Sequence, residues 1–181
     1  MASGLSMPIG FKNSTDGNVT NAINGIRAAA GKHEFLGVDG DGFLSTVKTR
    51  GNPHTHTVLR GGKQPNYDAN SIAEVIAQLE HAGLPQKVLI DGSHENSSKD
   101  HVRQKFVIED IIRQLCEDRA KRIMGVMMES NLKAGNQKFD PGVTSRESLQ
   151  YGVSITDKCM DWTTTEELIF RLREAVKKRN R

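Results

Sequence analysis

Residues 71–91, SIAEVIAQLEHAGLPQKVLID, decide the fold. Ile72, Val75, Ile76 and Leu79 recur at three- and four-residue intervals, which places them on one face of a helix over 71–82, ended at Gly83. Lys87 to Asp91 is then a short apolar run of the kind a buried parallel strand uses. The same alternation extends both ways. Upstream, Met7 to Lys12 reads as a strand, Asn13 to Gly17 as a turn, Asn18 to Ala30 as a helix stopped by Gly31, and Thr55 to Arg60 as a second strand. Downstream, Lys99 to Glu117 carries Val102, Phe106, Ile108, Ile111, Ile112 and Leu115 at helical spacing, and Arg122 to Glu129 is again a strand. Val153 to Thr156 predicts a last short strand before a helix over 165–178, with Thr163 and Glu166 or Thr164 and Glu167 as its capping box. Repeated strand and helix in this order mean an α/β protein with a mainly parallel sheet.

Two segments interrupt the repeat. Phe35-Leu36-Gly37-Val38 and Phe43-Leu44-Ser45-Thr46-Val47 flank Asp39-Gly40-Asp41-Gly42, so residues 35–47 predict a β-hairpin insertion. The Asp-rich turn is not a calcium loop, because Phe43 stands where an oxygen ligand is needed and no bidentate Glu follows. Residues 131–149 show little apolar periodicity and carry Gly135, Pro141 and Gly142, the pattern of a long loop, which compact domains often keep for function.

Composition narrows the class. A chain of 181 residues with 36% hydrophobic and 26% charged residues has enough of both for one folded domain, over 1–181, and excludes a wholly disordered chain. No apolar run approaches the roughly 20 residues of a membrane helix, and Met1 to Gly10 lacks the pattern of a secretory signal, so the expected setting is cytoplasmic. Cys116 and Cys159 are the only cysteines, too few for a disulfide framework or a cysteine zinc ribbon. The net charge of +3 owes much to Lys177, Lys178, Arg179 and Arg181, which read as a solvated helix end and not as a nucleic-acid footprint.

The chemistry gathers where the strands end. Lys12, Arg60, His94, Glu129 and Asp157 each stand at or just beyond the carboxyl end of one of five successive expected strands, the edge where parallel α/β proteins bind ligands. His94, Glu129 and Asp157 offer one imidazole and two carboxylates, a donor set for a divalent metal of the Mn, Fe, Co or Zn type. Arg60-Gly61-Gly62-Lys63 couples a forked cation to a glycine backbone that allows close approach, which suits a phosphate or carboxylate. These residues suggest a metal-assisted enzyme acting on an anionic, phosphorylated substrate.

At these positions the chain resembles the C-terminal half of the type I 3-deoxy-D-arabino-heptulosonate 7-phosphate (DAHP) synthases, which open the shikimate pathway to the aromatic amino acids. The resemblance is carried by ASGLSMPIGFKN at 2–13, LRGGK at 59–63 with PNY at 65–67, IDGSH at 90–94, GVMMES at 125–130 with GNQ at 135–137, and YGVSITD at 151–157 with Cys159. It implies a TIM-type (βα)8 barrel in which phosphoenolpyruvate condenses with erythrose 4-phosphate. It further implies a metal on His94, Glu129 and Asp157, with Lys12 and Arg60 holding phosphoenolpyruvate and Lys12 able to pass a proton. Leu5, Ser6 and Phe35 fall in the region the family uses for feedback inhibition by aromatic amino acids. Self-association as dimer or tetramer is part of the same implication.

The departures form expectations of their own. Met1 stands directly before Ala2, where the family has three further strands, so the chain is expected to be a partial barrel of about the last five βα units. With those strands would go a cysteine ligand, a Lys-Pro-Arg-Thr segment for erythrose 4-phosphate and a further arginine for phosphoenolpyruvate. Weak or absent turnover of the isolated chain is therefore expected, with Cys116 and Cys159 poor replacements. Glu95, Lys158 and Pro65 are smaller departures. The alternative is a non-catalytic subunit that docks on a full-length synthase through open barrel edges or the hairpin. A complete five-stranded doubly wound domain is disfavoured by the hairpin and by the lack of a Gly-x-Gly-x-x-Gly turn.

Overall fold

The computed structural model describes residues 1–118 and 121–180. Its centre is a parallel four-stranded sheet formed by β1 (Ile9–Lys12), β4 (Thr55–Leu59), β5 (Val88–Asp91) and β6 (Ile123–Met127), in the order β1-β4-β5-β6. Between β1 and β4 lie helix α1 (Thr20–Ala30) and an antiparallel ribbon of β2 (His33–Val38) and β3 (Leu44–Thr49). Helices α2 (Ala69–His81) and α3 (His101–Glu117) make the next two crossovers, and α4 (Trp162–Arg179) packs on α3. The sheet does not close on itself among the described residues: β1 and β6 each pair on one side.

Strand alternation separates two chemistries. Leu59, Val88 and Ile90 are fully buried and meet Ile72, Val75, Ile76 and Leu79 of α2 and Val107, Ile108 and Ile111 of α3. Each large aliphatic side chain so buried contributes about 1.5–3 kcal/mol, so this layer fixes the helices on one face. The alternate positions point to the opposite face. Register pairs Lys12 with Val58, Val58 with Leu89, and Asp91 with Met127. Lys12, Arg60, Asp91 and Glu129 therefore share the face that, among the described residues, no helix covers.

The hairpin stands where the sequence predicts it and runs a few residues longer at its open end, because Thr49 Oγ1 accepts from the His33 amide (3.0 Å) and extends the ladder. At its tip Asp39 Oδ1 accepts from the amides of Asp41 and Phe43 (3.1 and 2.9 Å), so that carboxylate serves the turn. Several apolar side chains of the ribbon, among them Phe35, Leu36 and Leu44, are exposed. Val102 and Phe106 of α3 are exposed too, although they share helical spacing with its buried residues.

Three expectations need correction. Val153 to Thr156 is not a strand, so among the described residues the sheet has four strands and not five. The Gln137 amide group donates to the carbonyls of Gln150 (2.8 Å) and Val153 (3.0 Å), the Gln137 backbone N–H takes Ser154 O, and Asn136 Nδ2 takes Thr156 O. These contacts engage the carbonyls a ladder would use. The second correction concerns the start of α4, which is Trp162 with Asp161 as its cap, not a threonine capping box; the Asp161 carboxylate accepts from Thr164 N at 2.7 Å. The third is the basic tail: the nearly buried Arg179 guanidinium donates to Ile123 O (2.8 Å) and pairs with Asp118 (3.4 Å), tying α4 to β6. Arg181 lies outside the described residues.

The Thr164 amide holds the Asp161 carboxyl below its ordinary range. A depressed folded-state value means stability that is present above the ordinary carboxylate range and lost as pH falls through the folded-state value. Asp161→Ala should lower the unfolding free energy by about 1 kcal/mol at neutral pH, with a smaller deficit in acid, as measured by urea denaturation. Asp161→Asn, which keeps an acceptor, should lose less; an alanine variant as stable as the parent would refute the cap.

Candidate active site

The five expected residues meet at the carboxyl end of the open face. Lys12 is the last residue of β1, Arg60 follows β4, His94 begins a 3-10 turn (His94–Ser97) after β5, and Glu129 lies two residues beyond β6. Asp157, expected at a strand end, sits instead on the irregular segment after the long loop. That segment is held against the sheet by a bridge between Ser130 and Met160, with Met160 N donating to Glu129 O at 3.0 Å. The long loop thus positions Asp157 indirectly, through Asn136 and Gln137.

One atom of each of His94, Glu129 and Asp157 lies within 4.8 Å of the others. His94 and Glu129 are half-buried and Asp157 is exposed, so the group opens to solvent on one side. His94 Nε2 is 3.8 Å from Glu129 Oε1, while its Nδ1 lies 2.8 Å from Asp91 Oδ2. That contact is close without being a hydrogen bond of good geometry, so Asp91 abuts the ring at Nδ1 and leaves Nε2 facing Glu129 and the donor group. Ser93 Oγ donates to Glu129 Oε2 at 2.5 Å, and the buried Gln104 accepts from the Glu129 amide at 3.0 Å through Oε1. The donor set and its supports fit a divalent cation.

Asp91 is the residue the sequence reading missed. Its side chain has no exposed surface; Oδ2 accepts from Lys12 Nζ at 2.7 Å and faces His94, and Oδ1 accepts from Ser93 N at 2.9 Å. It read as the last residue of a buried strand. The available signal was a lone carboxylate closing an apolar run three residues before a histidine.

Arg60 is held by its backbone. Its N–H donates to Asn13 Oδ1 (2.9 Å), and its carbonyl accepts from the amides of Glu95 and Asn96 (3.2 and 3.3 Å). Its guanidinium, largely buried, is 3.6 Å from Glu95 Oε1. The glycines after it meet protein backbone: a Cβ on Gly62 would lie 2.2 Å from Gly17 N, and one on Gly61, whose φ is +78°, 2.6 Å from Asn96 N. Their small size lets the strand-end loops touch, which gives them a structural reason independent of any ligand.

Cys159 lies close to the group, its Sγ 3.6 Å from Asp157 O. Burial first, and then the carboxylates of Glu129 and Asp157, push its thiol above the ordinary range, so it is protonated at neutral pH. Cys116 lies on α3, away from the site, as the sequence suggests. Leu5 and Ser6 line a cavity of about 450 Å³ with residues 47–54, whereas Phe35 lines a neighbouring one of about 450 Å³ with Phe11, Ala28 and Ala29. Ser3 lies in both.

Comparison with known proteins gives a consistent result. Residues 1–169 match the pattern of the DAHP synthetase I family. The chain is 46% identical over 169 residues to the Tyr-sensitive phospho-2-dehydro-3-deoxyheptonate aldolase of Salmonella typhimurium, covering 93% of this chain and 46% of that one. It is 49% identical over 179 residues to the Phe-sensitive enzyme of Escherichia coli, covering 99% and 50% respectively. A solved structure of the Francisella tularensis phospho-2-dehydro-3-deoxyheptonate aldolase superposes with a TM-score of 0.89 at 42% identity, over 98% of this chain and 50% of that one. The chain spans about half the length of the curated relatives it matches.

If Asp91 orients His94, Asp91→Asn should weaken manganese binding by about 10- to 100-fold, read by titration calorimetry on the purified chain, while His94→Ala removes most of the affinity. Manganese affinity unchanged by Asp91→Asn would contradict the role given to that carboxylate.

Proposed function

The chain belongs to the DAHP synthetase I family, and from that premise we propose that it carries the metal-ligating and anion-holding strand ends of a DAHP synthase. The reaction joins phosphoenolpyruvate to erythrose 4-phosphate: C3 of the enol phosphate bonds to the aldehyde carbon, water is consumed, and inorganic phosphate leaves with the seven-carbon keto-sugar phosphate. The observation that carries the reading is the convergence of two cations, Lys12 and Arg60, and three metal-type donors, His94, Glu129 and Asp157, on one end of one open sheet face. In this reading the sheet is an arc of a (βα)8 barrel, and residues 1–181 form one partial barrel domain.

A divalent metal of the Mn, Fe, Co or Zn type on His94, Glu129 and Asp157 would supply Lewis-acid polarisation of the aldehyde oxygen. Arg60, with its backbone pinned at three points, orients the phosphate or carboxylate of phosphoenolpyruvate through its planar fork. Lys12, a third exposed and tethered to Asp91, adds a fixed positive charge at the same end and is the group placed to hold or pass a proton. Leu5, Ser6 and Phe35, on the two cavities at the hairpin base, are the positions proposed to respond to an aromatic amino acid. The setting proposed is the cytoplasm; among the described residues no helix is long and apolar enough to cross a membrane.

The exposed apolar side chains of the ribbon and the two sheet edges left unpaired among the described residues favour association, either as a homo-oligomer or with a full-length synthase. They also support a second reading, a non-catalytic subunit. The 181 residues by themselves are expected to bind manganese and phosphoenolpyruvate with little turnover.

A hybrid chain separates the two readings. With the N-terminal part of the Escherichia coli relative fused ahead of Ala2, phosphoenolpyruvate should be consumed only with both erythrose 4-phosphate and manganese. Arg60→Ala should slow it by about 100-fold or more. A folded hybrid that binds manganese yet never consumes phosphoenolpyruvate would overturn the catalytic reading in favour of the non-catalytic one.

A further inference from the structure

We infer that Glu95 is an internal counter-ion for Arg60, occupying it in the empty site and giving way to an incoming anion, so that Glu95 sets how tightly the site holds its anionic substrate. This deepens, and rests on, the reading of Arg60 as an anion holder.

The two cations of the site are neutralised in different ways. Lys12 is paired with Asp91 at 2.7 Å, and Asp91 is fully buried with its other oxygen bonded to the Ser93 amide. That carboxylate has no second place to go. Arg60 Nη2 is 3.6 Å from Glu95 Oε1, beyond hydrogen-bond range, and Glu95 is a quarter exposed on the 3-10 turn after β5. Glu95 does have a second place: the same Oε1 is 3.4 Å from Nζ of Lys99, four residues on and mostly exposed. Arg60 is one pole of a loose pair whose other pole already leans toward solvent and toward a second cation.

The backbone makes the pair selective about which partner moves. Arg60 O accepts from the Glu95 amide, so the two residues are stitched together while their side chains remain free to separate. An anion with two or three oxygens meets the guanidinium fork in parallel hydrogen bonds that the single distant Glu95 oxygen does not make. It therefore displaces Glu95, which turns to Lys99. Without an anion, Glu95 keeps a largely buried guanidinium from standing unpaired. The cost is competition: every anion that binds must first break this contact, and the affinity measured is lower by that amount.

The test is titration of the purified full chain with phosphoenolpyruvate, manganese present, followed by calorimetry. Glu95→Gln, which keeps shape and removes charge, should bind phosphoenolpyruvate about two- to fivefold more tightly than the parent, and Glu95→Ala should do the same if the glutamine variant folds poorly. Arg60→Gln should weaken binding, and the gain from Glu95→Gln should vanish in the Arg60→Gln background. Equal or weaker binding by both Glu95 variants would overturn the inference while leaving Arg60 as the anion holder. A gain that persists without Arg60 would also overturn it, since the charge of Glu95 would then act by another route. Unchanged binding by Arg60→Gln alone would instead sink the reading of Arg60 on which the inference stands.

Discussion

A carboxylate with no exposed surface needs partners for its oxygens, and Asp91 finds them in the residues that matter most. Lys12 from the edge strand β1, across β4, His94 from the turn that follows, and the Ser93 amide converge on its two oxygens. Leaving a buried carboxylate short of a partner is costly, and that cost holds the Lys12 ammonium in place. The consequence reaches the surface of the site. With Nδ1 of His94 turned to Asp91, Nε2 is presented toward Glu129, and the same carboxylate keeps the Lys12 ammonium beside it.

Around that centre, polarity is matched by amides. Asn13 accepts from Arg60 N and donates to Gly61 O, Asn66 accepts from Gly61 N, and Asn96 donates to Leu59 O and Asp91 O while accepting from Asn66 N. Three asparagines so placed satisfy backbone groups that would otherwise be stranded where the strands stop. They lock the ends of β1, β4 and β5 to one another. The packed aliphatic layer beneath gives this end of the sheet a rigid base, so Lys12 is carried on a strand and Arg60, His94 and Glu129 within three residues of one, whereas Asp157 comes from an irregular segment farther along the chain.

Much of this was legible in the sequence because it follows from periodicity. Ile72, Val75, Ile76 and Leu79 face the core as their spacing requires, the Asp39 turn makes a ribbon, and His94, Glu129 and Asp157 come together at one strand-end edge. What was not legible depends on side chains that carry no periodic signal. Asn13, Asn66 and Asn96 are neutral amides, and nothing in a linear reading says that they bridge strands. Val153 to Thr156 has a strand's composition, yet amide groups from Gln137 and Asn136 take its carbonyls first. At the start of α4 two kinds of cap compete within four residues, and Asp161, with its charged acceptor, wins over the threonines.

The central claim is that Asp91 fixes His94 and Lys12 so that a metal and an anionic substrate share one strand-end site. A crystal structure of the chain soaked with manganese and phosphoenolpyruvate, with the metal placed by anomalous scattering, tests it most directly. The account predicts manganese on His94 Nε2, Glu129 and Asp157, with phosphoenolpyruvate oxygens on Arg60 and with Asp91 still between Lys12 and the Nδ1 side of His94. Manganese bound through Nδ1 of His94, or at a site without Glu129, would contradict it.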